Sequence, residues 1–427
     1  MCLNLKTDSI KMRTLFRNYA NTFRGLSTEV WWLSLITFIN RSGTMVIPFL
    51  SLYLTKSLNF TLTDVGWIMS FFGLGSVVGT WIGGKLTDII GYYKVMFVSL
   101  VLTGVLFVLL QYVETFYGFC VGIFLVMLVA DAFRPAMFVA LSAYSKPENK
   151  TRSVTLIRLA INLGFSAGPA IGGVIITTVG YQGLFWVDGI TCALASILLL
   201  KVLHPKKVNI LDEVKTANPI SAYNDKAFLI FFIAMFIFGF VFLQYFSTIP
   251  LYYKDSRLLS EFEIGLLMGF NGFFIFLFEM PLIKWLEDAK KSKIKLVTLG
   301  LFLTAMSFVV LNTTGWIGIL ILGMVLMTVG EMIAFPFSNA FAVERAKKGN
   351  QGEYMALYSI SFSLSHIFSH NTGMQMVAKF GFTITWYAIT IFACVGVVIL
   401  LYLLHVLKKE HKNFTFQEVQ TNKGENQ

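Results

Sequence analysis

His204-Pro205-Lys206-Lys207-Val208-Asn209-Ile210-Leu211-Asp212-Glu213-Val214-Lys215-Thr216-Ala217-Asn218-Pro219-Ile220-Ser221-Ala222-Tyr223-Asn224-Asp225-Lys226 is the one long polar, basic stretch between the apolar runs of this 427-residue chain. Six apolar runs precede it, near 30–55, 64–86, 95–113, 117–142, 153–178 and 184–203. Six follow, near 227–252, 263–287, 296–312, 315–342, 353–378 and 382–406. A helix crosses a bilayer with about 20 mostly apolar residues, and the runs meet that length or come close to it. The pattern predicts an all-α integral membrane protein of twelve transmembrane helices in two six-helix bundles, 30–203 and 227–406. A basic segment (1–29) precedes them, the 204–226 linker divides them, and a short solvated tail (407–427) follows.

Composition points the same way. Apolar residues make up 56% and charged residues 13%, against about a quarter charged in soluble chains. A water-soluble domain this apolar has nowhere to place its surface, whereas a bilayer supplies an apolar solvent. The net charge of +11 is not a nucleic-acid footprint, because the cations fall in the short gaps between runs. With the N-terminus in the cytoplasm, 27 of the 34 Lys and Arg lie on the cytoplasmic side, and the opposite loops hold only Lys56, Lys254, Arg257 and Lys379. That asymmetry orients both termini inward across the inner (plasma) membrane. The first run is too long for a signal-peptide core and lacks a small-residue cleavage site, so it reads as a retained helix. Cys2, Cys120, Cys192 and Cys394 show no paired spacing, which predicts neither a disulfide framework nor a zinc site.

The halves carry echoes of each other. Ile47-Pro48 is followed by Gly66 and Asp88, and Ile249-Pro250 by Gly265 and Glu287, with the Gly-to-acid interval 22 in both. Such echoes predict a parallel repeat about a pseudo-twofold axis along the membrane normal, with the substrate site between the halves. Between the second and third runs stands Gly84-Lys85-Leu86-Thr87-Asp88-Ile89-Ile90-Gly91-Tyr92-Tyr93-Lys94, a tight turn with an acid at a helix end able to face the N-terminus of a neighbouring helix. The fifth run contains Gly164-Phe165-Ser166-Ala167-Gly168-Pro169-Ala170-Ile171-Gly172-Gly173, small residues that let helices approach closely around a bend-forming proline.

These two segments resemble the major facilitator superfamily. In the loop, Gly84, Leu86, Asp88 and Gly91 match the superfamily motif, while Ile89, Tyr92 and Tyr93 stand where it carries basic residues. In the fifth run every fixed position, Gly164, Gly168, Pro169, Gly172 and Gly173, matches the motif of the proton-driven multidrug efflux branch. Gly330-Glu331 with Pro336, and Gly352-Glu353-Tyr354-Met355, are also similar to that branch. The fourth run departs from it, with Asp131-x-x-Arg134-Pro135 in place of its central arginine motif, as does the eleventh, with His370-Asn371 where many members have Gly-Pro. The resemblance implies that helices 1, 4, 7 and 10 line a central cavity and that helices 2, 5, 8 and 11 form the seam between halves.

A charge at bilayer depth costs at least about 2.5–3.5 kcal/mol, so intramembrane charges are functional candidates. Glu279, Glu331 and Asp131 are the proton-coupling candidates. No Lys or Arg lies deep in the second half, so neither glutamate has a local cation, and desolvation favours the protonated carboxyl. A static bridge to Arg41 or Arg134 across the seam is the alternative. Asn40, Arg41, Arg134, Gln244, Tyr245, His366 and His370 are the substrate-cavity candidates, weighed against interhelical hydrogen bonding. Arg41 and Arg134 either attract an anionic group on the substrate or pair with Asp131. Arg158 reads as structural and Asp188 as a solvated interfacial acid. His366 and His370, four apart, share a helix face but have no third ligand beside them, so neither a metal nor another cofactor is expected.

The leading expectation is a secondary transporter, coupled to protons and exporting small amphipathic molecules by alternating access. It would act as a monomer in the lipid bilayer, with no nucleic-acid partner. The alternative within transport is a proton symporter for an anionic or zwitterionic nutrient. A membrane-embedded enzyme would require a nucleophile with its base, or a metal cluster, and the five histidines without acid or cysteine partners supply neither.

Overall fold

The computed structural model describes residues 25–146, 149–206, 221–289, 291–346 and 351–424. Most of the basic N-terminal segment and the middle of the linker (207–220) lie outside the described residues. The helices are α1 (Thr28–Lys56), α2 (Leu62–Ile90), α3 (Tyr92–Leu110), α4 (Phe116–Tyr144), α5 (Lys150–Thr178) and α6 (Gln182–Val202). In the second half they are α7 (Lys226–Asp255), α8 (Glu261–Asp288), α9 (Lys293–Leu311) and α10 (Gly318–Ala346). The stretch Gln351–Gly424 holds α11 (351–380) and α12 (382–424), divided at Gly381, whose φ of 75° no β-branched or bulky residue adopts without strain. The twelve runs are therefore twelve helical spans. α12 continues as helix well past 406, where the sequence predicts a solvated tail.

Local signals explain where helices begin. α2 opens with a reciprocal capping box between Thr61 and Asp64, and α8 opens with the same device between Ser260 and Glu263. Each box stands five residues before the matching glycine, Gly66 or Gly265, so the repeat extends to the caps. α2 ends at Gly91, whose φ of 87° lets α3 start in the next residue.

One run is not a single helix. α1 breaks into Thr28–Ser42 and Val46–Lys56, here α1a and α1b, with Gly43 capping the first piece. Its counterpart α7 runs unbroken through Pro250.

Lipid tails are as apolar as the helices, so association rests on close van der Waals packing and interhelical hydrogen bonds. Between the halves α5 lies along α8 and α2 along α11. The approach is near enough that a Cβ on Gly265 would come 2.4 Å from the Pro169 carbonyl oxygen, and one on Gly73 would come 2.7 Å from the His366 backbone. Within each half, α3 packs with α4 and α6, and α9 with α10 and α12.

The two ends of the bundle differ. The end carrying the linker is the linker end and its opposite the far end. At the far end the halves are tied: Lys56 pairs with Asp255 at 2.5 Å, and the Tyr181 hydroxyl donates to Glu261 at 3.1 Å. At the linker end, polar ties among the described residues stay inside each half. Lys206 pairs with Glu29, and the Tyr144 hydroxyl donates to the His204 carbonyl. In the second half Arg345 forks onto Asp225 at 2.6 Å and reaches Glu410 at 2.8 Å, while Tyr354 donates to Asp225 at 2.9 Å. Among the described residues, the polar ties that join the ends of the halves thus lie at the far end.

The Asp225 knot gives a testable pH effect. Burial alone would raise this carboxyl, but the Arg345 fork, its charge, the Phe228 N–H and the Tyr354 hydroxyl outweigh burial and hold it below its ordinary value. A depressed carboxyl stabilises above its unfolded pKa of about 3.9, and that stability is lost as pH falls through the folded value. Thermal unfolding at graded acid pH is expected to show this loss in the wild type, and Asp225→Asn to flatten the acid limb.

Candidate functional site

The mid-membrane charges fall into two groups. In the first half, Asp131 and Arg134 lie one turn apart on α4, 3.4 Å from each other. Ser76 of α2 donates to the second Asp131 oxygen. Arg41, the next-to-last residue of α1a, sits within Coulombic range of both, its guanidinium 5.7 Å from the Phe165 ring centroid. The Arg134 side chain is 52% exposed although it lies near mid-helix.

The second group crosses the seam. Glu279 of α8 accepts from the Arg158 guanidinium and, at 3.2 Å, from Asn162, both on α5. Glu279 is therefore not without a cation: the partner comes from the other half, and it is Arg158 rather than Arg41 or Arg134. Glu331 of α10 accepts from Asn271 of α8 at 3.2 Å, and Asn271 also donates to Thr328 at 2.9 Å. Glu331 lies within electrostatic range of Glu279 and Arg158, yet among the described residues it makes no ion pair of its own. One carboxylate paired with a cation and one held only by an amide thus stand together beside the seam.

His366 and His370 sit on the α2 face of α11, ring centroids 5.6 Å apart and each 6.1 Å from Phe72. His366 lies within electrostatic range of the Asp131–Arg134 pair. His370 is buried, and neither of its ring nitrogens has a hydrogen-bond partner.

Three cavity candidates point elsewhere. Gln244 is fully buried between α7 and α11, donating to the Ser369 carbonyl and hydroxyl and accepting from Thr248. Ser365 and Ser369 bond to the Phe236 and Phe240 carbonyls, extending a polar zipper along that contact. Tyr245 turns to the Gly323 carbonyl and Phe308, and Asn40 turns to Cys192 of α6. A buried amide satisfies its hydrogen bonds with the nearest backbone, so helix-face position alone does not bring it to a cavity. Gln244→Leu is expected to lower thermal stability by about 1–3 kcal/mol, the cost of orphaning its partners. Transport per folded molecule should stay unchanged in a proteoliposome assay.

The glycine motif of α5 has two faces. Gly164, Gly168 and Gly172 receive α1, the first at Arg41, the second at Ser42 and the third at Phe49 and Met45. Gly173 and the Pro169 carbonyl receive α8 at Glu261 and Gly265. The seam contact thus falls to Pro169 and Gly173 together with Ser166 and Ala170, while the other three glycines bed α1 within its own half. In the α2–α3 turn, Gly84 has open space around it, and Asp88 is exposed with no ion pair among the described residues.

Asp188 is not a solvated interfacial acid. It is 0% exposed, and its carboxylate accepts the N–H groups of Met45 at 2.9 Å and Val46 at 3.0 Å. Sequence reasoning missed this role, and it missed Asn162, Asn271 and Ser76. Asn162 stands one turn from Arg158 on the same helix face, a spacing that marks it beforehand. Asn271 is found only through the packing of α8 on α10.

Two pseudo-symmetric six-helix halves, tied at one end and packed around buried charges, define a multi-span membrane transporter that works by secondary transport. Known proteins agree. A family model described as Major Facilitator Superfamily matches residues 30–370. The chain belongs to the major facilitator superfamily, and that membership makes it a transporter of small molecules rather than an enzyme. It is 21% identical over 409 residues to a Na(+), Li(+), K(+)/H(+) antiporter of Planococcus maritimus, covering 87% of this chain and 94% of that one. It is 24% identical over 238 residues to the quinolone resistance protein NorA of Staphylococcus aureus, covering 55% of this chain and 61% of the relative. Among solved structures, a POT family transporter in complex with 5-aminolevulinic acid superposes with a TM-score of 0.76 at 18% identity, over 91% of this chain and 97% of the other. The nucleoside transporter NupG superposes at 0.70 and 14% identity, over 89% and 99%.

Proposed function

We propose that this protein is a proton-coupled exporter of small amphipathic molecules, and that Glu331 is the group whose protonation drives the cycle. The observation that carries the reading is the pairing of unlike carboxylates at the seam: Glu279 is held by Arg158 and Asn162 across it, while Glu331 has only the Asn271 amide. A carboxylate without a cation at membrane depth loses its charge readily by taking up a proton. Protonated, it no longer attracts Arg158, so one proton alters the balance of charge at the contact between the halves.

The linker end corresponds to the cytoplasm under the positive-inside rule, and the far-end ties support reading this state as open inward. Arg41, Asp131, Arg134 and the His366 edge then form one wall of the opening. Phe335 of α10, packed with Phe238, Phe242 and Phe362, supplies an aromatic surface beside α7 and α11. An aromatic wall facing a charged one suits a molecule with a greasy body and a charged or polar end. Export is favoured over nutrient symport by the names of the relatives, one an antiporter and one a resistance protein.

The test uses ethidium as the amphipathic probe in proteoliposomes with an imposed pH gradient. Saturable, gradient-driven movement that a protonophore abolishes is expected. Movement indifferent to the gradient would remove proton coupling, and conversion of the probe to a product would remove transport itself.

A further inference from the structure

We propose that α1 is a jointed helix whose outer piece, α1b, moves separately as a far-end gate, and that Asp188 of α6 is the positioning residue that holds the joint. This rests on the alternating-access reading above.

The joint has a chemical cause. A helix broken inside a membrane exposes unpaired N–H groups at the start of its second piece, each costly without a partner. At α1b those of Met45 and Val46 are taken by the two oxygens of Asp188, with no cation paired to that carboxylate among the described residues. The acceptor oxygens also sit at the positive end of α1b. The fit is tight: a Cβ on Gly43 would come 1.7 Å from the Thr191 hydroxyl oxygen, one turn along α6 from Asp188. The second half offers a natural control. α12 has no Asp or Glu from 382 to 406, and α7, which corresponds to α1, is unbroken. The break occurs in the half that carries the acid.

The two pieces also belong to different apolar cores. Val30, Leu33 and Ile36 of α1a pack with Tyr92, Phe133, Ala136 and Leu199 of the first half. Val46, Phe49, Leu50 and Tyr53 of α1b join the core shared with the second half, which includes Ile249, Leu251 and Tyr253 of α7. Lys56, the last residue of α1b, is bonded to Asp255, the last residue of α7. α1a is thus packed within its own half, whereas α1b is packed both on its own half, through Tyr53 on Phe119 and Phe185, and across the far-end seal, with Gly43–Met45 between them. When the seal opens, bending at the joint lets α1b follow a path that a continuous helix denies it.

The experiment is amide hydrogen exchange on the full chain in nanodiscs, comparing wild type with Asp188→Asn. Asparagine keeps the size but replaces one acceptor oxygen with a donor. Exchange over 45–54 is expected to rise about tenfold while 28–41 stays as in the wild type, the scale of losing a strong cap. Unchanged exchange at 45–54, or an equal rise in both pieces, overturns the proposal. A second measurement leaves Asp188 in place. Spin labels at Ser57 and Val179, both at the far end of the first half, are compared with labels at Ser57 and Ser256 across the seal. A Ser57–Val179 distance that changes when the cross-seal distance changes supports the joint, and one that stays fixed shows a rigid α1 and overturns it. A cross-seal distance that never changes counts against alternating access instead, and the exchange result then decides the joint alone.

Discussion

Glu331→Gln is expected to abolish gradient-driven ethidium transport, by at least about 100-fold, the lower range for removing a positioned proton-transfer group. Exchange of labelled for unlabelled ethidium without a gradient should survive. Glutamine fills the same space and can accept from Asn271, so the amide contact and the packing of α10 on α8 are retained. Only the ability to take up and release a proton is removed. Loss of both activities would make Glu331 a binding or folding residue, and full gradient-driven transport would remove it from the coupling step. Glu279→Gln should behave differently, because Glu279 already has a guanidinium partner and its loss frees Arg158 rather than a proton.

The second large effect is on stability. Arg158→Ala leaves Glu279, 7% exposed, as an unpaired carboxylate held only by Asn162. Breaking a fully buried pair costs about 3–5 kcal/mol and an exposed pair about 0–1. The Arg158 side chain is 39% exposed, which places this pair between those limits, at about 2–3 kcal/mol. The double variant Arg158→Ala/Glu279→Gln should recover part of that loss, because the orphaned charge is gone. Thermal unfolding of the four proteins in one detergent measures the coupling. Strictly additive losses would show that the two groups do not stabilise the fold through each other. The pair also crosses the seam, so its removal should change the balance of states as well as stability.

The twelve helices, their six-and-six division and the repeat were legible because each depends on local properties: run length, charge placement and recurring glycine and acid positions. The break in α1 was not legible. Ile47-Pro48 invites a kink, but Pro48 lies in the first turn of α1b, where a proline is tolerated, and the corresponding Pro250 breaks nothing. What decides the matter is Asp188, about 140 residues away, and no local pattern connects the two. The site was half legible for the same reason. Asp131 and Arg134 share one helix, so their pairing follows from spacing. The partners of Glu279 sit on α5 and that of Glu331 on α8, contacts that only packing reveals. Gln244, Tyr245 and Asn40 misled because polarity at membrane depth signals a hydrogen-bonded contact as readily as a cavity.

The account turns on Glu331 protonation setting which end of the bundle is open. The most direct measurement is the distance between spin labels at Ser57 and Ser256 in nanodiscs, in acid and in alkaline buffer, for the wild type and Glu331→Gln. The account predicts that the wild-type distribution redistributes with pH between near and separated far ends, and that Glu331→Gln holds one distribution in both buffers. A variant that redistributes with pH as the wild type does would contradict it.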